Sequence, residues 1–123
     1  TSAGRLIDSV LPHLSGRVMA RAIRVPTASV SAIDLTIQTE TATHVDSVNA
    51  LLKSEAAKAH MLGWTEKPLV STDLRARPES LIVSARETSV SVGGLLRVFG
   101  WYDNEWGFSN RMLDMARLMG RRG

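Results

Sequence analysis

The sequence has no cysteine. That excludes disulfides, thiolate metal sites and a thiol nucleophile, so any thiol chemistry has to come from outside the chain. Long apolar runs are missing as well. Leu81–Val83 and the Leu95, Leu96 pair are broken by Ser or Arg, far short of the roughly 20 residues that span a bilayer, and no membrane role is legible. The elbow Gly-x-Ser-x-Gly, a Walker loop, Cys-x-x-Cys and Gly-x-Gly-x-x-Gly are all absent, which removes the usual short signatures of hydrolases, nucleotide hydrolysis and dinucleotide binding. His13, His44 and His60 are scattered, and no two share metal-ligand spacing. The chain begins at Thr1 rather than Met, with no secretory signal pattern, and it reads as a piece of something longer. No self-sufficient active site is visible.

What is present describes one folded domain. The 123 residues are 44% hydrophobic and 22% charged, close to the average for globular chains and far from the polar signature of disorder. The net charge of +3 comes mostly from arginine, whose planar fork suits phosphate. So modest a basic excess gives little support for a nucleic-acid partner.

Leu6, Ile7, Val10 and Leu11 fall at helical spacing and meet Pro12, which predicts a short helix. Arg17 to Val25 predicts a strand, with Val18, Ala20 and Ala22 on one face and Met19, Arg21, Ile23 and Val25 on the other. Ser31 to Glu40 alternates Ile33, Leu35 and Ile37 against Asp34, Thr36, Gln38 and Glu40, a strand with one face solvated or against a polar partner. Thr43 as N-cap and Asp46 in the first turn predict a helix carrying Val45, Val48, Leu52, Ala56 and Ala59 and stopping near Gly63. Leu81–Val83 and Thr88–Val92 supply further strands. Gly93 and Gly94 then predict a hairpin turn into a strand over Leu95–Tyr102. Phe108, Met112, Met115 and Met119 line one stripe of a final helix, a pattern that by itself reads as ordinary core. Together these elements predict an α+β domain, a mostly antiparallel sheet with helices packed on one face.

Two clusters invite chemistry. Arg24 stands at a predicted strand end before Val25 and Pro26, where its stem can be buried and its fork aimed into a cleft. Read alone it is also an ordinary surface arginine. Trp101 to Trp106 places aromatic bulk, two acids and the amide of Asn104 at a strand-to-helix junction. An amide can donate and accept at once, as fixing a carboxamide requires, although spacing alone favours a helix cap with aromatic packing.

Both clusters carry a resemblance. Arg24, Val25, Pro26, Thr27, with Val30, Ser31 and Ile33–Ile37, is similar to a stretch of the catalytic domain of glyceraldehyde-3-phosphate dehydrogenases. The run from Trp101 to Arg111 resembles that family's C-terminal signature and is the more specific of the two. With Leu11, Pro12 and Leu14 upstream and Thr65, Glu66, Pro68–Ser71 and Asp73 between, the resemblance covers nearly the whole chain. It implies a partial C-terminal catalytic domain over residues 1–123, lacking its N-terminal portion. Ala32–Leu35 with Phe108 and Asn110–Asp114 looks closer to the erythrose-4-phosphate dehydrogenase branch.

The resemblance further implies that Arg24, with Gly4 and Ala3 in a phosphate-binding turn, matches the contacts to a phosphorylated aldose or inorganic phosphate. Asn104, beside Tyr102, matches the asparagine that holds the nicotinamide carboxamide of NAD, or NADP. It implies a cytoplasmic enzyme whose partners are a homo-oligomer or the absent dinucleotide-binding domain; the chain alone would bind no cofactor. Ala3 stands where the family usually has threonine, Asp73–Arg77 where it has Asp-Phe-Asn and a further acid, and Phe108 where many members have tyrosine. Those departures put ordinary activity in doubt, and a free-standing anion-binding or interaction protein descended from the domain is the alternative.

Overall fold

The structure is a computed structural model and describes residues 3–121. Helix α1 covers Ala3–Val10 and runs into a 3-10 turn, Pro12–Leu14. Strand β1 is Ser31–Gln38, helix α2 Val45–Lys58, and strand β2 Leu62–Thr65. After a 3-10 turn at Ser71–Leu74 come β3 (Leu81–Ser84), β4 (Ser89–Val90), β5 (Leu95–Tyr102) and α3 (Asn104–Gly120). No helix among the described residues is long and apolar enough to cross a membrane.

The sheet runs β1-β5-β3-β2, with β4 also on β5. β1 and β5 are antiparallel from Ser31 opposite Tyr102 to Gln38 opposite Leu95. β3 and β4 are antiparallel to β5, and only β2 with β3 is parallel. The chain is thus α+β with a mostly antiparallel sheet, as its pattern predicts. Gly94, at φ +82°, closes the turn between β4 and β5 in a region that glycine enters freely.

Alternation sorts the side chains. Ile82 and Trp101 are cross-strand neighbours, and Ile82 joins Val30 and Leu74 in a core flanked by Leu69 and Trp101. Val30 sits at φ +70°, a costly conformation for a β-branched residue, and its side chain is buried in this core. Gly100 opposes Val83, which is 1% exposed. A Cβ on Gly100 would lie 2.7 Å from Leu81 Cδ1 and 3.0 Å from the Ile82 carbonyl oxygen.

Further along the face of β5 that carries Trp101, Arg97 ties three elements together. Its Nε and Nη2 donate to the two Asp34 carboxylate oxygens at 2.8 and 3.0 Å, and Nη1 donates to the Glu87 carbonyl and carboxylate. The guanidinium lies 5.3 Å from the Phe99 ring centroid, and Phe99 meets Trp101 edge to face. On β1 this face, with Asp34 and Thr36, is polar and exposed, as its sequence predicts. The opposite face of β1 is open too, because Ile33 and Leu35 stay about 40% exposed.

Four local expectations need correction. Arg17–Val25 is not a strand: the segment is irregular, and Ile23 is 87% exposed. A strand needs a neighbour to satisfy its amides, and no described strand lies beside this one. Helix α2 is capped at His44, one residue after Thr43, where Ser47 Oγ accepts from the His44 N–H and donates to its carbonyl. α2 also ends at Lys58, short of Gly63. Gly63 lies instead in β2, where a Cβ would come 2.9 Å from Ile82 Cγ1, so that glycine serves a close strand approach rather than a helix stop. The expected face of α2, including Val45, Val48, Leu52 and Ala56, is the half-buried one. The Phe108, Met112, Met115, Met119 stripe of α3 is exposed instead of entering the core.

Replacing Gly100 by Ala is expected to destabilise the chain by about 1 to 3 kcal/mol, since part of the clash is with backbone that side-chain motion cannot relieve. Urea unfolding followed by circular dichroism measures it; a loss within error of zero would show that β3 can move away from β5 at no cost.

Candidate functional site

β5 delivers Tyr102 to the sheet end, opposite Ser31, and the chain turns through Asp103 into α3. Asp103 is the N-cap. Its Oδ1 accepts from the Trp106 N–H at 3.1 Å and its Oδ2 from the Ala76 N–H at 2.9 Å. One carboxylate therefore caps α3 and fastens the 71–76 loop to it. The Ala76 amide first, then that of Trp106, holds the Asp103 carboxyl below its ordinary range, with help from the charge of Arg75. Ala76 sits at φ +59°, the left-handed region that turns its N–H onto the carboxylate.

Asn104 follows as the first residue of α3. It is exposed, and its side-chain amide makes no hydrogen bond among the described residues, so its donors and acceptor are all available. Beside it opens a shallow cleft of about 360 Å³ lined by Arg75, Ala76, Asp103, Glu105, Trp106 and Ser109. α3 is held further along by Gly107, where a Cβ would meet the Glu79 carbonyl oxygen at 3.0 Å. Arg111 donates to Ser80 Oγ at 3.2 Å, and Asp114 takes Arg111 at 2.9 Å and His60 Nε2 at 3.0 Å.

Tyr102 and Asn104, the residues expected at a cofactor, are thus brought to one place on either side of Asp103. Among the described residues, Gly4 and Arg24 make no side-chain hydrogen bond or ion pair to them. Ala3 and Gly4 form the first turn of α1, whose main contacts are with the 3-10 turn that follows it. Arg24 lies in the irregular segment, exposed and without a hydrogen bond or ion pair to a described residue. It is not at a strand end. Among the described residues no group of three His, Cys, Asp or Glu could hold a metal ion. The Ala76–Asp103 contact and the place of Arg75 in the cleft escaped the sequence reading. The cap could be found from Asp103 preceding an amphipathic run, but its partner 27 residues away leaves no local signal.

The family model for the C-terminal domain of glyceraldehyde 3-phosphate dehydrogenase matches residues 1–104, which include all five candidate residues. The chain belongs to that family. It is 47% identical over 116 residues to the glyceraldehyde-3-phosphate dehydrogenase of Pseudomonas aeruginosa, covering 94% of this chain and 34% of that protein. To the enzyme of the same name from Zymomonas mobilis it is 45% identical over 124 residues, covering 98% and 37%. The Xanthobacter flavus relative is 42% identical over 125 residues, covering 100% and 37%. The chain spans about a third of the length of the curated relatives it matches.

In this family member the Asp103 contact sets the geometry of the Asn104 turn, and it titrates. The folded-state pKa of Asp103 is depressed below 3.8, so its stabilisation is fully present above the unfolded value and disappears as pH falls through the folded one. Asp103→Ala is expected to cost about 1 to 2 kcal/mol at neutral pH, as other N-cap removals do, with the gap closing below about pH 4. Parallel urea titrations from pH 7 down to 2.5 check this; a gap independent of pH would remove the carboxylate from the account.

Proposed function

We propose that this chain works as the C-terminal part of an NAD-linked dehydrogenase of phosphorylated aldoses. In this reading it contributes the Asn104 amide to the nicotinamide side and Arg24, with the α1 turn, to the phosphate side. The observation that carries it is Asn104: exposed, with an uncommitted side-chain amide, on a helix turn clamped by Asp103. That donor set fits a carboxamide, which both donates and accepts. NAD, when bound, accepts the hydride that leaves the aldehyde carbon. The chain's own residues orient and bind, while the thiol that attacks the aldehyde has to lie outside a chain without cysteine.

Arg24 supports the phosphate assignment because its fork is free and matches an oxyanion at two points. The α1 turn offers helix N-terminal amides, but Ala3 has no hydroxyl to add. A single charge-assisted contact contributes about 1.5 to 3 kcal/mol, so the chain alone holds phosphate no better than roughly millimolar. Within the same proposal the substrate is glyceraldehyde 3-phosphate or erythrose 4-phosphate, and the cofactor NAD or NADP. The enzyme is a cytoplasmic oligomer in which the exposed α3 stripe finds cover. In product release the acyl group passes from the thioester to inorganic phosphate or water, and the thiol supplied from outside this chain is the leaving group.

The experiment grafts this chain in place of the matching third of the Zymomonas mobilis relative. The graft is expected to reduce NAD with glyceraldehyde 3-phosphate, and the isolated chain is not. In the graft, Asn104→Ala should raise KM for NAD about tenfold, the loss of roughly 1.4 kcal/mol. Arg24→Lys should raise KM for the phosphorylated aldehyde, while Arg75→Ala leaves that KM alone. A folded, NAD-binding graft whose KM values ignore Asn104 and Arg24 would refute the site assignment.

A further inference from the structure

Among the described residues, two that are not glycine hold a left-handed backbone, Val30 at φ +70° and Ala76 at φ +59°. A side chain makes that region costly, most of all for a β-branched residue. The two are far apart in sequence and meet at one place. Val30 directly precedes Ser31, the residue of β1 opposite Tyr102, so it stands one step beyond that pair, as Asp103 does on β5. Its side chain packs with Leu74 and Ile82. Leu74 ends the 3-10 turn that leads to Ala76, and the Ala76 N–H donates to Asp103 Oδ2 at 2.9 Å. Both strained residues therefore adjoin the junction that presents Asn104.

The two conformations are held for different reasons. Val30 is 5% exposed, and burial of its side chain offsets the strain. Ala76 is exposed, so no packing holds its methyl group. Its backbone is kept left-handed by a hydrogen bond to a carboxylate, which is stronger than one between neutral groups. Each of these contacts is internal to the described residues.

We propose that Val30 and Ala76 are positioning residues for Asn104, a brace running from Val30 through Leu74 and Ala76 to Asp103 that sets where the uncommitted amide stands. The proposal rests on the reading of Asn104 as the nicotinamide contact. Neither residue touches cofactor or substrate; both act through the Asp103 carboxylate. A relaxed backbone at Ala76 turns its N–H off Asp103, leaving α3 its cap but no tie to the 71–76 loop. A displacement of about 1 Å is enough to cost a positioned group most of its effect.

Strain of this kind has a signature. Within regular structure Ala→Gly destabilises, because glycine has more freedom to lose. At a left-handed position the sign reverses. The first measurement is urea unfolding of the purified 123-residue chain. Ala76→Gly should raise the midpoint, and Val30→Gly should unfold at a higher urea concentration than Val30→Ala although it has lost more side chain. The opposite order in either comparison would overturn the proposal.

The second measurement uses the graft into the Zymomonas mobilis relative. Ala76→Val puts a β-branched residue on an exposed loop, where it needs no room in the core. It should raise KM for NAD at least roughly threefold and leave KM for the phosphorylated aldehyde alone. Ala76→Gly should keep the parent KM. In the Asn104→Ala background Ala76→Val should add nothing, since it acts through that amide. An effect that adds in full, or a folded Ala76→Val graft with the parent KM, overturns the proposal. If Asn104→Ala itself leaves KM for NAD unchanged, the nicotinamide reading fails and the brace is decided by NMR of the chain. Ala76→Val and Val30→Ala should then move the backbone amides of Asn104 and Trp106, and Leu51→Ala, exposed on α2, should not. Amides that stay in place refute the brace on its own.

Discussion

β5 is hydrogen-bonded to β1 along its whole length and on its other side to both β3 and β4, so the sheet is assembled on a single strand. The close approach of β3 depends on the missing side chain of Gly100, since even a methyl there would press on the Ile82 carbonyl oxygen. That approach sets Trp101 beside Ile82 and fixes the height at which Tyr102 leaves the sheet. The core with Val30 and Leu74, and the junction with α3, both inherit their positions from this contact.

Charged groups then join what the small core cannot. Arg97 links β5 to β1 and to the turn before β4, Asp103 links α3 to the 71–76 loop, and Asp114 draws His60 and Arg111 onto α3. These groups are partly solvated, so each contributes modest energy, but each fixes direction. Asp103 shows this best. Two backbone donors from different elements converge on one carboxylate, and the exposed amide of Asn104 is held next to it at a defined place.

Apolar surface is left open in two regions, the α3 stripe and the segment 17–25. Patches of this kind on a folded chain mark contacts. In a family member spanning about a third of its relatives' length, the two regions need not serve the same contact. The α3 stripe is a helical face suited to packing, whereas 17–25 presents unpaired backbone suited to a strand ladder.

Much was legible without coordinates. Helical spacing marked the half-buried face of α2, the run Leu95–Tyr102 matched β5 to the residue, and the glycine pair before it marked the hairpin turn. The family was legible in the residues from Trp101 to Arg111, and the match over residues 1–104 supports it. These signals are local, because periodicity, turn chemistry and motif order are written along the chain. Three matters were decided only in three dimensions. Arg17–Val25 has a strand's alternation but no neighbour to bond, Gly63 ended up between strands rather than at a helix end, and Asp103 found the Ala76 amide across 27 residues. Whether a segment pairs, and with what, depends on which surfaces the folded chain brings within hydrogen-bonding reach, and alternation alone carries no record of the partner.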